Sequence, residues 1–381
     1  MRRLNVRLCG ATALAGAALA LAACDQTETT TTGEDEAAAD AAAADAAPAP
    51  DADIAAADIA CDRDCLIGVA ETYVAALVAH DPAQAPLADE IAFVENLMRI
   101  QPGEGLWQTA VSAPTSFEIH VPDEVNQSVG YLAMMTRMAP PRAPQGSSPE
   151  EIAEFEANAE PSEQPVLVAF RLQLDENGEI AEAEHLLTGV REGQMPQLQT
   201  PRPGIFTEIP TDQRKSHDEL IEIGTTYYPA LDDNDGTLMP FAPDCERHEN
   251  GMITASSTPS TGAPAIPGQA PTPAVARDCA GQLSSNAMAY ITTIDNRRVF
   301  AADPVTGLVM GLSHFRHPME FEPYEVTHLD GTTSMRSAED MGFAPFDLPA
   351  AHIFKVGADG LVHEIEAMGF QAPLNAPTGW E

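Results

Sequence analysis

Apolar residues recur along the chain with two different periods. Leu66, Val69, Ala70, Tyr73 and Leu77 fall three and four apart, which predicts a helix with one buried face. Leu220, Ile223, Gly224, Tyr227 and Leu231 repeat that face further along. Elsewhere the period drops to two. Residues 164–187 read as strand, turn and strand about Glu176-Asn177-Gly178, and residues 351–368 do so about Ala358-Asp359-Gly360. Residues 129–137 and 308–317 read as further strands.

These segments come in the same order twice. At a constant offset of 154, residues 70–97 and 224–251 share nine identical pairs, including Thr72/Thr226, Tyr73/Tyr227, Leu77/Leu231, Asp81/Asp235, Glu95/Glu249 and Asn96/Asn250. Placing Gly178 on Gly360 superposes Glu182 on Glu364 and Glu184 on Glu366. The pattern predicts a duplication with halves at 61–205 and 206–381. Each half has helices first and then a strongly curved antiparallel sheet, an α+β layout with helices on one sheet face. The apolar faces of the two sheets are expected to pack together, giving a monomer with an intrachain pseudo-dimer.

The first 24 residues have a different pattern. Arg2, Arg3 and Arg7 precede an apolar run over residues 9–20, too short for the ~20 residues that span a bilayer. The run ends in Leu21-Ala22-Ala23-Cys24, the pattern of a bacterial lipobox, so Cys24 is the expected site of lipidation. Residues 25–60 carry ten acids and no Lys or Arg in a mostly Ala, Thr and Pro background. Such a segment lacks the apolar surface to offset its ordering entropy, and predicts a disordered tether. The expectation is a protein lipid-anchored to a membrane of the cell envelope and facing the periplasm.

Charge and cysteines sharpen this picture. A formal net charge of −39 argues against nucleic-acid partners, whose phosphates need Lys and Arg. Membrane attachment would run through the lipid alone. Beyond Cys9 and Cys24, four cysteines remain, and four allow three pairings. Cys61–Cys65 and Cys245–Cys279 are favoured, the second closing the base of a Pro- and Gly-rich excursion over residues 252–278. A CxxxC spacing is not the usual zinc-knuckle spacing, so no metal is expected.

Several short motifs carry a family likeness: Cys61-Asp-Arg-Asp-Cys65, Gly103-Glu-Gly-Leu-Trp107, Glu249-Asn-Gly251, the run from Tyr290 to Arg298, Gly307-Leu-Val309, Phe315-Arg-His317 and Thr378-Gly-Trp380. With the order of elements, they make the chain resemble the NTF2-like (SnoaL-like, cystatin-like) superfamily of cone-shaped α+β folds. More narrowly, residues 61–381 are similar to the DUF8021 domain family. The chain departs from that family at Phe315-Arg316-His317, where an acid is expected before the histidine, and at Asp295-Asn296-Arg297. The resemblance implies two tandem cones, each with a deep and largely apolar pocket, and no cofactor. It implies no particular reaction.

Candidate chemistry follows from residue type and position. His317, His314 and Tyr290 are the candidate acids or bases, with His314 and His317 on opposite strand faces. The paired Arg297-Arg298 could grip an anion or form structural ion pairs. Glu95-Asn96 and Glu249-Asn250 mark either two equivalent sites or two equivalent turns. Tyr227 and Trp107 are either pocket walls or core. Glu182/Glu184 and Glu364/Glu366 form either an acid pair facing a pocket or a solvated sheet face. Walker, Rossmann, nucleophile-elbow and HExxH motifs are missing from the sequence. Three functions remain: binding of a small, largely apolar molecule, a cofactor-free lyase, isomerase or hydrolase, and a structural or partner-binding role with filled pockets.

Overall fold

The computed structural model describes residues 60–141, 149–260, 275–328, 330–341 and 343–381. Cys24, the leader and nearly all of the tether lie outside the described residues, as do residues 261–274 of the Pro-rich excursion. No helix among the described residues is long and apolar enough to cross a membrane.

The first half runs α1 (Arg63–Ala79), β1 (Leu87–Glu95), β2 (Met98–Arg99), α2 (Leu106–Thr109), β3 (Ala110–Ser112), β4 (Glu118–Asp123), β5 (Ser128–Ala139), α3 (Pro149–Asn158), β6 (Ser162–Leu174) and β7 (Ile180–Gly189). The second runs α4 (His217–Thr225), α5 (Tyr227–Asp232), β8 (Phe241–Glu249), β9 (Met252–Ser260), β10 (Val275–Arg277), α6 (Cys279–Leu283), β11 (Thr293–Asp303) and β12 (Leu308–His317). It continues through β13 (Tyr324–Thr327), β14 (Thr333–Arg336), α7 (Ala338–Met341), β15 (Phe346–Val356), β16 (Val362–Gly369) and β17 (Ala372–Pro373).

Local chemistry sets the helix ends. The Asp62 side chain accepts from Cys65 N at 2.9 Å and caps α1, which stops at His80 in the left-handed region. Ser216 and Glu219 form a reciprocal capping box on α4. The second copy of the helix breaks after Thr225. Pro229 has no N–H to give to the Thr225 carbonyl, and its ring crowds that oxygen.

The strands form a seven-stranded sheet in the order β2-β1-β7-β6-β5-β3, with β4 on β5, and an eight-stranded sheet in the order β10-β9-β8-β16-β15-β12-β11, with β17 on β15. The expectation of purely antiparallel sheets needs one correction in each half. β1 pairs parallel to β7 and β8 parallel to β16. In each case four or more elements separate the partners, a crossover long enough to bring the chain back in the same direction. The registers correspond: Val94 faces Glu184 and His248 faces Glu366. The α+β layout with helices on one face of each sheet stands.

Three apolar layers result. Leu66, Tyr73 and Leu77 of α1 pack on Tyr131, Val168 and Phe170. Leu220, Tyr227 and Leu231 pack on Phe315, Phe354 and Ile365. The middle layer joins the other faces of both sheets, with Ile119, Leu132 and Ala169 against Met310, Leu312 and Ile353. Glu184 and Glu366 face this middle layer and are almost wholly buried, while the Glu182 side chain stays 42% exposed, so only one end of the glutamate rows meets solvent.

Ion pairs across the middle layer are reciprocal. Arg63 Nη2 lies 3.1 Å from Asp303 Oδ2, and His217 Nε2 lies 2.8 Å from Asp123 Oδ2. His217 is the offset-154 counterpart of Arg63, and the strand registers make Asp303 the counterpart of Asp123. Gly130 meets Met310, its own counterpart, so closely that an added Cβ would sit 2.5 Å from the Met310 sulfur. Both expected disulfides are formed; Cys245–Cys279 ties β8 to the start of α6, with Cα atoms 5.6 Å apart.

Candidate binding cavity

Packed aromatic and aliphatic side chains lie beneath the buried side of α1 in the first half. Tyr73, wholly buried, has its hydroxyl 2.9 Å from His185 Nε2, and His185 Nδ1 lies 3.2 Å from Glu95 Oε2. A carboxylate only accepts, so Nδ1 carries the proton and the tyrosine donates to Nε2. Burial pushes the His185 pKa down despite Glu95, which keeps the ring neutral. Glu95 also accepts from Leu106 N at 3.0 Å. Trp107 packs edge-on against Tyr73, with ring centres 5.4 Å apart. Trp107 is therefore part of the core, and Glu95, partly exposed, borders it. Asn96 has φ 45° and exchanges hydrogen bonds with Leu187. Asn250 has φ 49° and does the same with Gly369, so both asparagines are turn residues joining the parallel strands.

The equivalent space in the second half is open. A cavity of about 70 Å³ lies between α5, β8, β12, β15 and β16, with Arg247, Glu249, Tyr290, His317 and His352 among apolar walls such as Leu231, Phe315 and Ala350. Arg247 occupies the position of Phe93 and His352 that of Phe170, by the offsets of 154 and 182. Arg247 Nε donates to Tyr227 Oη at 3.1 Å, and Nη1 donates to Thr254 Oγ1 at 2.7 Å and meets Glu249 Oε2 at 2.8 Å. Burial pulls the Arg247 pKa down, but Tyr227 and Glu249 outweigh it and the net shift is upward. Its Nη2 makes no hydrogen bond among the described residues.

His317, at the end of β12, stacks on Phe346 with ring centres 4.1 Å apart, and Tyr290 lies 5.5 Å away. Burial pushes the His317 pKa down to about 4 against smaller opposing effects of the Phe315 carbonyl, Asp347 and Glu249. Nδ1 lies 3.1 Å from the Phe315 carbonyl, so this nitrogen carries the proton and Nε2 keeps a free lone pair. Burial and the Arg247 charge hold the His352 pKa well below the ordinary value, and its buried Nδ1 has no partner among the described residues. Burial raises the pKa of Tyr290 and of Tyr227.

His314, Arg297 and Arg298 do not line this cavity. Residues of a strand alternate faces, and His314 points to the middle layer, where burial and then Arg316 and Arg298 lower its pKa. Arg298 makes a two-pronged pair with Glu184 of the other half, at 2.6 and 2.8 Å, and Arg297 pairs with Asp232 at 2.7 Å. Both arginines are structural.

This architecture defines a duplicated α+β body in which, among the described residues, one copy keeps a polar-lined cavity where the other packs Tyr73, Phe93, Trp107 and Phe170. Residues 213–369 match the family model described as a domain of unknown function, DUF8021, a stretch that holds every cavity-lining residue. No curated protein matches the chain.

Proposed function

We propose that this chain is a lipid-anchored protein of the bacterial envelope, built of two NTF2-like cones, whose second cone binds a small, largely apolar molecule. The lipobox at Cys24 and the acidic tether support the anchor. The repeated order of helix and sheet, with the DUF8021 match, supports the two cones. The observation that carries the binding reading is the contrast between halves: Tyr73, His185 and Trp107 fill the first, while Arg247, His317 and Tyr290 border open space in the second. Apolar walls with a few converging polar groups are what small-ligand sites present.

Native mass spectrometry of the full-length protein, gently extracted from membranes, tests this. The protein should carry a small adduct that is lost in Ala350→Phe, which fills the cavity. A native protein without an adduct, or an adduct equally retained by Ala350→Phe, would contradict the reading.

A cofactor-free catalytic reading has one observation in its favour. His317 is neutral, with a lone pair on Nε2, so it can take a proton near neutral pH.

A further inference from the structure

The cavity's polar groups restrict the chemistry of its ligand, on the reading that the cavity binds one. Arg247 and Glu249 are the charged residues among its lining, and they are paired at 2.8 Å, so the walls sum to zero charge. Arg316 and Arg336 lie behind the lining: Arg316 pairs with Asp347 and Asp295, and Arg336 donates to the Ala287 carbonyl. Among the described residues, Arg247 Nη2 is a donor without a hydrogen-bond partner. His317 Nε2 is an acceptor, because Nδ1 is committed to the Phe315 carbonyl. An ammonium group would meet the Arg247 charge. A carboxylate would meet Glu249 and the His317 lone pair, and nothing in the walls would neutralise it.

We propose that the second-half cavity selects a small uncharged molecule bearing both a hydrogen-bond acceptor and a donor, such as a primary amide or an alcohol on a compact apolar stem, with Arg247 donating to the acceptor and His317 accepting from the donor. The low pKa of His317 keeps that nitrogen unprotonated at neutral pH. The cavity of about 70 Å³ suits a molecule of a few heavy atoms.

Titration calorimetry of the full-length protein with isobutyramide, isobutyrate, isobutylamine and cyclopentane tests this. Isobutyramide should bind ~10-fold or more tightly than either ion. In Glu249→Gln the cavity gains one positive charge, and isobutyrate should overtake isobutyramide. Isobutyrate or isobutylamine matching the amide on the native protein would overturn the inference. Cyclopentane binding as tightly as the amide would leave the binding reading standing and remove this one. Binding by none of the four would remove both. If Glu249→Gln does not fold, as circular dichroism would reveal, the ranking on the native protein decides alone.

Discussion

His317 couples the cavity to pH. Its pKa of about 4 in the folded chain lies below the ordinary 6.5, so the unfolded chain binds a proton first as pH falls. Stability attributable to this ring is present above pH ~6.5 and is lost between there and ~4. The variant His317→Phe removes that dependence and keeps the stack on Phe346. Across that window the native protein should lose on the order of 2 kcal/mol more than the variant, after allowance for partial solvent screening. Urea denaturation at pH 7 and pH 4 checks this; parallel losses in both proteins would refute the assignment. Other shifted groups, such as His248 down to about 4 and Glu366 up to about 7, are common to both proteins and cancel in the comparison. His317, Tyr290 and Glu249 could be read from the sequence as polar residues at strand ends and in a repeat. Arg247 and His352 could not, because the segment around Arg247 shows no clean alternation and His352 sits inside an apolar strand. The signal was in the repeat's mismatches. Where one copy has core Phe93 and Phe170, the other has Arg247 and His352, and burying an arginine needs both a partner and a purpose.

Among the elements, the helical faces, both hairpin endings and the strands at 128–139 and 308–317 followed from periodicity and turn chemistry, which are local signals. The parallel pairing of β1 with β7 and of β8 with β16 did not. Alternation shows which side chains are buried but not which strand lies alongside or in which direction. The break between α4 and α5 was legible in Pro229, yet the shared apolar face concealed it. The glutamate rows misled for a related reason. A polar residue on every second position reads as solvent-facing unless the chain has a second sheet to lay over it. Here Glu184 meets Arg298, and Glu366 meets Arg202 at 3.1 Å.

At the scale of the molecule, duplication explains why the middle layer can be buried without a second chain. Reciprocal ion pairs, Arg63 with Asp303 and His217 with Asp123, tie the halves together side by side, where Asp123 also accepts from Ala302 N at 3.0 Å. An isolated half would expose Ile119, Leu132 and Ala169, or Met310, Leu312 and Ile353, an apolar face larger than soluble monomers usually tolerate. Light scattering should therefore find the full protein monomeric as Cys24→Ser, which cannot take the proposed lipid, and residues 61–205 or 206–381 alone dimeric or aggregated. Stable monomeric halves would contradict the packing account. With the first copy's core packed beneath α1, the other is free to hold a ligand without loss of the shared core. The central claim is that, of the two equivalent spaces beneath Tyr73 and Tyr227, the one in the second half binds a ligand. A crystal structure of the protein soaked in isobutyramide tests it most directly. The account predicts density for the amide between Arg247, His317 and Tyr290, with the space around Tyr73, His185 and Trp107 unchanged. An empty second cavity, or amide bound in the first half, would contradict it.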